Sequence, residues 1–208
     1  MKGTMKALRM YAPYDFRIDE VAIPEIGDDD ILIRVKGCGV CSGDVKTYHG
    51  GQRVWGTSPE TAYIEAPCIG GHEFHGVVAE KGKNVTKVEI GDRILAEQIL
   101  PCGECKFCRQ GNYWMCQPHR IFGFKHEAEG GFAEYMKLPK NSVIHKLPDE
   151  LTDDHYQIDV NQEDAEIDVV FTEELSEEGS LLLRSLILGL TSVEEEHGQY
   201  LDVIFKEV

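Results

Sequence analysis

The chain lacks any apolar run long enough to cross a bilayer as a helix, and it opens with no apolar stretch resembling a secretory leader. Aromatic residues make up 9% of it, with only two tryptophans, so large aromatic clusters cannot dominate the core. Basic side chains nearly vanish toward the C-terminus. Residues 1–148 carry 19 acidic and 19 basic side chains, whereas residues 149–208 carry 18 acidic and 2 basic, which places the whole net charge of −16 in the last stretch. A field of that sign repels phosphate backbones and anionic lipid, so neither nucleic acid nor membrane is an expected partner. The abrupt change in composition predicts a boundary close to Pro148-Asp149, separating residues 1–150 from an acidic segment, 151–208.

What the chain does have is cysteine in one concentrated place. Four of its seven cysteines, Cys102, Cys105, Cys108 and Cys116, fall within fifteen residues. Steps of three, three and eight let four thiolates converge tetrahedrally on one zinc ion, a closed and therefore structural site. The odd cysteine total and this metal-like spacing suit a reducing compartment, and a cytoplasmic protein is expected.

The first 150 residues read as short strands punctuated by turns. Met5 to Met10, Ile31 to Val35, Phe74 to Glu80, Arg93 to Ala96, Phe132 to Leu138 and Val143 to Leu147 are the strand candidates. Only Ser42 to Tyr48 reads as a brief helix. Many short strands broken by glycine predict a mainly β fold, a partly open barrel carrying the cysteine lobe. Beyond residue 148, Ile167 to Phe171 and Tyr200 to Phe205 are further strand candidates around a leucine-rich helix, Glu173 to Leu190, giving a small acidic α/β appendage. Leu182, Leu186 and Leu190 would form a stripe for intramolecular packing or for a homodimer.

Two glycine-rich passages hold the remaining chemistry, Gly37-Cys38-Gly39-Val40-Cys41-Ser42-Gly43-Asp44 and Gly70-Gly71-His72-Glu73-Phe74-His75-Gly76. Cys41 and His72 offer a thiolate and an imidazole, a mixed donor set of the kind that leaves zinc an open position. Glu73 is a further ligand or tuning group, and Asp44 can orient the imidazole. Spacing alone leaves open an ordinary core cysteine and a satisfied histidine.

These passages, with Val88-Glu89-Ile90-Gly91-Asp92-Arg93, the cysteine lobe and Gly130-Gly131-Phe132-Ala133-Glu134-Tyr135, resemble the zinc-containing medium-chain alcohol dehydrogenases, especially their polyol and threonine branch. The resemblance covers roughly residues 5–150, the length of that family's GroES-like catalytic domain. It implies Cys41, His72 and Glu73 at a catalytic zinc, Asp44 as support for His72, and Cys102, Cys105, Cys108 and Cys116 at a structural zinc. It also implies NAD(P) as hydride carrier and a small alcohol or polyol as substrate. Two positions depart from the pattern. Gly43 stands where a hydroxyl residue is common, and Lys46 where several relatives have a relay histidine. No strand–Gly-x-Gly-x-x-Gly–helix unit follows residue 148, so the expectation is an enzyme incomplete by itself: a truncated homologue, a fusion to an unrelated acidic segment, or one component of a split enzyme with a separate nucleotide-binding partner. The rival expectation is a zinc-stabilised interaction or regulatory module without redox chemistry.

Overall fold

The structure, a computed structural model, describes residues 1–148 and two further strands, 157–160 and 167–170. The chain divides into two units, Met1–Leu147 and Pro148–Val208. In the second, β11 (Gln157–Val160) and β12 (Ile167–Val170) form an antiparallel pair, so one expected strand is present in shortened form. The expected helix 173–190 with its leucine stripe, and the expected strand 200–205, lie outside the described residues. Among the described residues, no helix is long and apolar enough to cross a membrane.

The first unit is built on ten strands. They are β1 (Thr4–Ala12), β2 (Asp15–Ala22), β3 (Ile31–Gly39), β4 (Cys68–Ile69), β5 (Glu73–Lys81), β6 (Arg93–Ala96), β7 (Ile99–Leu100), β8 (Arg120–Ile121), β9 (Tyr135–Leu138) and β10 (Ile144–Lys146). A five-stranded sheet runs β10-β6-β5-β3-β9, a three-stranded sheet runs β2-β1-β4, and β7 pairs with β8. An Ala7–Ala133 bridge, with Leu8 donating to the Phe132 carbonyl, ties β1 to the chain leading into β9. The ladders remain separate sheets, and the barrel stays open as expected.

Strand β3 is the centre of this arrangement because both of its faces are buried. Side chains alternate across a strand, so Ile31 and Ile33 point one way and Leu32 the other. The first pair joins Phe74, Val78, Ile94, Phe122, Met136 and Leu138 in the main core. Leu32 joins Met5, Ala7 and Ile69 in a second cluster. Each such side chain, when fully buried, contributes about 1.5–3 kcal/mol of apolar transfer energy.

The longest strand missed in the sequence is β2, which carries Asp15, Arg17, Asp19 and Glu20 and buries no side chain fully; the short strands β4, β7, β8 and β11 were missed as well. Helical structure was also under-read. Besides α1 (Ser42–Tyr48), as expected, there are single turns at α2 (Gln52–Trp55) and α3 (Lys106–Arg109) and 3-10 turns at Pro59–Thr61 and Tyr113–Met115. None has a periodic apolar face long enough to read from sequence.

Register is what builds the site. Pairing of β3 with β5 sets Cys38 opposite Phe74 and Gly39 opposite Glu73. Cys41, two residues past β3, therefore meets His72 at the entry to β5. Gly37, opposite His75, makes the close approach possible, since a Cβ there would stand 2.6 Å from His75 Nε2.

Candidate functional site

Cys41 is both the last residue before α1 and its cap. Its backbone is extended, at φ −96° and ψ 169°. Its Sγ accepts the Gly43 N–H at 3.1 Å, while Asp44 Oδ2 accepts the Cys41 N–H at 3.0 Å. This is a reciprocal capping arrangement with a thiol in place of the usual hydroxyl. It fixes the thiol direction and buries Asp44 to 6% exposure.

His72 is presented by Gly71, whose φ of +93° suits a residue without a side chain. A Cβ on Gly71 would also meet Cys38 Sγ at 2.7 Å and the Phe132 nitrogen at 2.8 Å. The imidazole places Nε2 3.2 Å from Cys41 Sγ and Nδ1 3.8 Å from Asp44 Oδ1. Its Nδ1 is buried with no hydrogen bond. Glu73 opens β5, and the donor atoms of Cys41, His72 and Glu73 all lie within 4.8 Å of one another.

The electrostatics of this group are lopsided. Burial, and then the Asp44 and Glu73 carboxylates, push the Cys41 thiol up to about 12. Burial raises the Glu73 carboxyl as well, with His72 opposing the shift and Asp44 adding to it. A thiol and a carboxyl are thus held close together, beside Asp44, in surroundings that penalise their anionic forms. A divalent cation is the partner that would favour those forms. Sulfur, nitrogen and oxygen donors on three sides fit zinc with one position left over. The unbonded Nδ1 fits the same reading, because a ligand imidazole ordinarily gives that N–H to a carboxylate behind it.

The four cysteines of the lobe also converge, their sulfurs all within 4.8 Å of one another. Backbone N–H groups turn toward them, Cys105 to Cys102 Sγ at 3.3 Å, Cys108 to Cys105 Sγ at 3.5 Å and Cys102 to Cys116 Sγ at 3.3 Å. The N–H groups of Cys108 and Gln117 chiefly lower Cys105 to about 6, and those of Glu104 and Cys105 lower Cys102. Burial pushes Cys108 up to about 11. All four are free thiols. Four sulfur donors, some already biased toward thiolate, suit one zinc in a closed shell.

The structure does not bring Lys46 into the first group. Two residues along α1 rotate a side chain by about 200°, so Lys46 faces away from Asp44 and is exposed. Cys38, given no ligand role from sequence, lies against the site. It is half-buried, pushed up to about 12 chiefly by burial, and hydrogen-bonded by the Glu73 backbone. Its position three residues before Cys41 was the available signal. Phe124, whose ring centre is 5.8 Å from that of His72, gave no signal in the sequence. Cys68 is fully buried in a third apolar cluster, His49 packs edge-on to Tyr14 and Tyr48, and His126 faces Glu129 at 3.5 Å. Beside Asp44 runs an open groove of about 750 Å³, walled by Leu8, Val35, Val40, Val45 and Phe132.

Known proteins resemble this chain in sequence and in fold. The erythritol/L-threitol dehydrogenase of Mycolicibacterium smegmatis is 40% identical over 154 residues, covering 73% of this chain and 42% of that protein. The L-threonine 3-dehydrogenase of Francisella tularensis subsp. novicida is 39% identical over 152 residues, covering 72% and 41%. Among solved structures, a zinc-binding dehydrogenase of Sinorhizobium meliloti bound to NADP superposes with a TM-score of 0.62 at 33% identity, over 72% of this chain and 40% of that one. The 2R,3R-butanediol dehydrogenase of Bacillus subtilis gives 0.59 at 32% identity, over 71% and 42%. The chain therefore spans about two fifths of the length of the relatives it matches. Residues 27–149, more than half of the chain and enclosing both clusters of donor atoms, match the alcohol dehydrogenase GroES-like domain, and it is to this family that the chain belongs.

Proposed function

We propose that residues 1–150 are the catalytic domain of a zinc-dependent, NAD(P)-linked alcohol or polyol dehydrogenase. The observation that carries this reading is the meeting of Cys41, His72 and Glu73, with Asp44 behind the imidazole. Zinc bound there would supply a Lewis acid that polarises a substrate hydroxyl or carbonyl oxygen. Cys41 and His72 are the fixed donors, one held by the helix cap and the other by the glycine turn. Glu73 is the donor that can leave, because burial already favours its protonated form. Asp44, 3.8 Å behind the imidazole, is placed to take its Nδ1 proton once the ring turns toward it, which would leave Nε2 for the cation.

Gly43 offers no hydroxyl to receive a substrate proton, and Lys46 faces away. Proton departure therefore falls to Glu73 or to solvent. The nicotinamide nucleotide, bound as NADP by the Sinorhizobium meliloti protein, is the hydride acceptor we assign. The substrates named for the relatives are erythritol, L-threitol, L-threonine and 2R,3R-butanediol. All have four carbons and adjacent polar substituents, and this is the substrate class we assign. The lobe cysteines hold a second, structural zinc.

Anomalous scattering at the zinc edge tests the reading. Two peaks are expected, one among the lobe cysteines and one among Cys41, His72 and Glu73. A protein supplied with zinc that shows no peak at the second group would overturn the catalytic assignment. Reduction of NAD(P) with four-carbon diols, measured with and without an added nucleotide-binding chain, then tests the reaction itself.

A further inference from the structure

Strand β2 is an edge strand, uninterrupted by proline, and the backbone shows which of its groups face outward. The N–H of Leu8 donates to Phe132 and its carbonyl accepts from Gly70, so both point away from β2. The carbonyl of Lys6 likewise accepts from Glu134. Leu8 is paired with Ile18 and Lys6 with Glu20, so these are non-hydrogen-bonded pairs of the antiparallel ladder. By alternation, the N–H and carbonyl groups of Phe16, Ile18 and Glu20 project from the free edge. None has a backbone partner among the described residues.

The side chains on this edge have a symmetry of their own. Arg17 and Asp19 share one face, where Arg17 lies 4.8 Å over the Tyr11 ring and the Tyr11 hydroxyl donates to Asp19. Ile18 points to the other face and is 73% exposed, beside the apolar groove that it and Phe16 help to line. Unpaired edges are ordinarily guarded by charge that repels a second strand. The charges here do the reverse. An antiparallel second β2 with its two-fold axis at Ile18 sets Arg17 opposite Asp19 of the other copy, twice, and Ile18 against Ile18. Moving the axis to Arg17 would set Arg17 against Arg17 and Asp15 against Asp19, and moving it to Asp19 would oppose two aspartates. The Ile18 register matches opposite charges, sets the exposed isoleucine against its own copy and lets the free backbone groups bond; an axis at Phe16 would also oppose Asp15 and Arg17, but it leaves Ile18 against Tyr14 of the turn.

We infer that β2 is a dimerisation edge, its occupant a second copy of this chain paired antiparallel about Ile18 to continue the β2-β1-β4 sheet across the two-fold axis. Such pairing takes its affinity from main-chain hydrogen bonds and its register from the side chains.

Sedimentation velocity on the full zinc-loaded chain, from micromolar to sub-millimolar concentration, is the test, run in moderate salt to screen the acidic segments. A monomer–dimer equilibrium is expected. Ile18→Lys, an exposed change whose fold is checked by circular dichroism, should weaken the dimer roughly tenfold or more. Arg17→Asp and Asp19→Arg should each weaken it, and the two together should restore most of the loss. In the dimer, hydrogen exchange should slow at the amides of Phe16, Ile18 and Glu20 and stay unchanged at Arg17 and Asp19, which already bond to β1. A monomer at every concentration overturns the inference. So does a dimer that is indifferent to Ile18→Lys or that fails to protect those alternate amides.

Discussion

The imidazole of His72 faces Asp44 across a gap of 3.8 Å between Nδ1 and Oδ1, too long for a hydrogen bond, although both side chains are less than a tenth exposed. A buried N–H and a buried carboxylate that stop short of each other leave an unmade interaction, which a small rotation of the ring toward Asp44 would complete. Asp44→Ala should therefore weaken zinc at the Cys41 group by about 10–100-fold. Chelator competition on each variant reads this, and the lobe zinc should be unaffected.

Replacing Cys105 with serine removes the lobe donor most biased toward thiolate. Zinc content should fall by one ion per chain. The melting temperature should fall by about 5 °C or more, because metal affinity at such a site is folding energy. Elemental analysis and calorimetry check the two outcomes together.

Phe122 is fully buried and packs edge-on to Phe74, with ring centres 5.3 Å apart. Phe122→Ala should cost about 3–5 kcal/mol in urea unfolding. Phe74 follows Glu73 directly, so the cavity also loosens the third donor. Zinc at the Cys41 group should weaken in the same variant while the lobe keeps its ion.

Burial raises the Glu129 carboxyl above its ordinary 4.5, against the opposing pull of the Ile69 N–H and His126. The folded state thus holds that proton more tightly than the unfolded chain does. This contribution to stability is full below about 4.5 and is lost as pH rises through the raised folded value. Glu129→Gln keeps an acceptor for the Ile69 N–H and removes the titration. Its melting temperature should equal or exceed that of the parent at neutral pH, by up to about 3 °C, and should vary less between pH 4.5 and neutrality. Thermal melts across that range check it.

The parts of this fold that could be read from sequence are those where one residue type leaves few options. Four cysteines at short steps specify a lobe, and Ile31-Leu32-Ile33 specifies a strand buried on both faces. Helix α1 was legible because Asp44 follows Cys41 by three, the spacing of a reciprocal cap. Strand β2 was not, because its charged residues mask the alternation and its ladder partner is supplied by β1. The third donor was left open for a similar reason. Adjacency offered Glu73, but only the Gly39–Glu73 pairing turns it toward Cys41. Lys46 shows the converse, a position suggested by the family resemblance that helical rotation carries away from Asp44.

The double duty of Cys41 gives the protein an unusual experimental handle. Its Sγ accepts the Gly43 N–H and is also the donor we propose for the cation, so the start of α1 and the proposed ion would share one atom. A hydroxyl can take over the first task but is a poor substitute in the second. Cys41→Ser should thus yield a chain that keeps its helix and its lobe zinc yet loses the ion beside His72. Comparing it with the parent would separate what the second ion contributes to chemistry from what it contributes to shape.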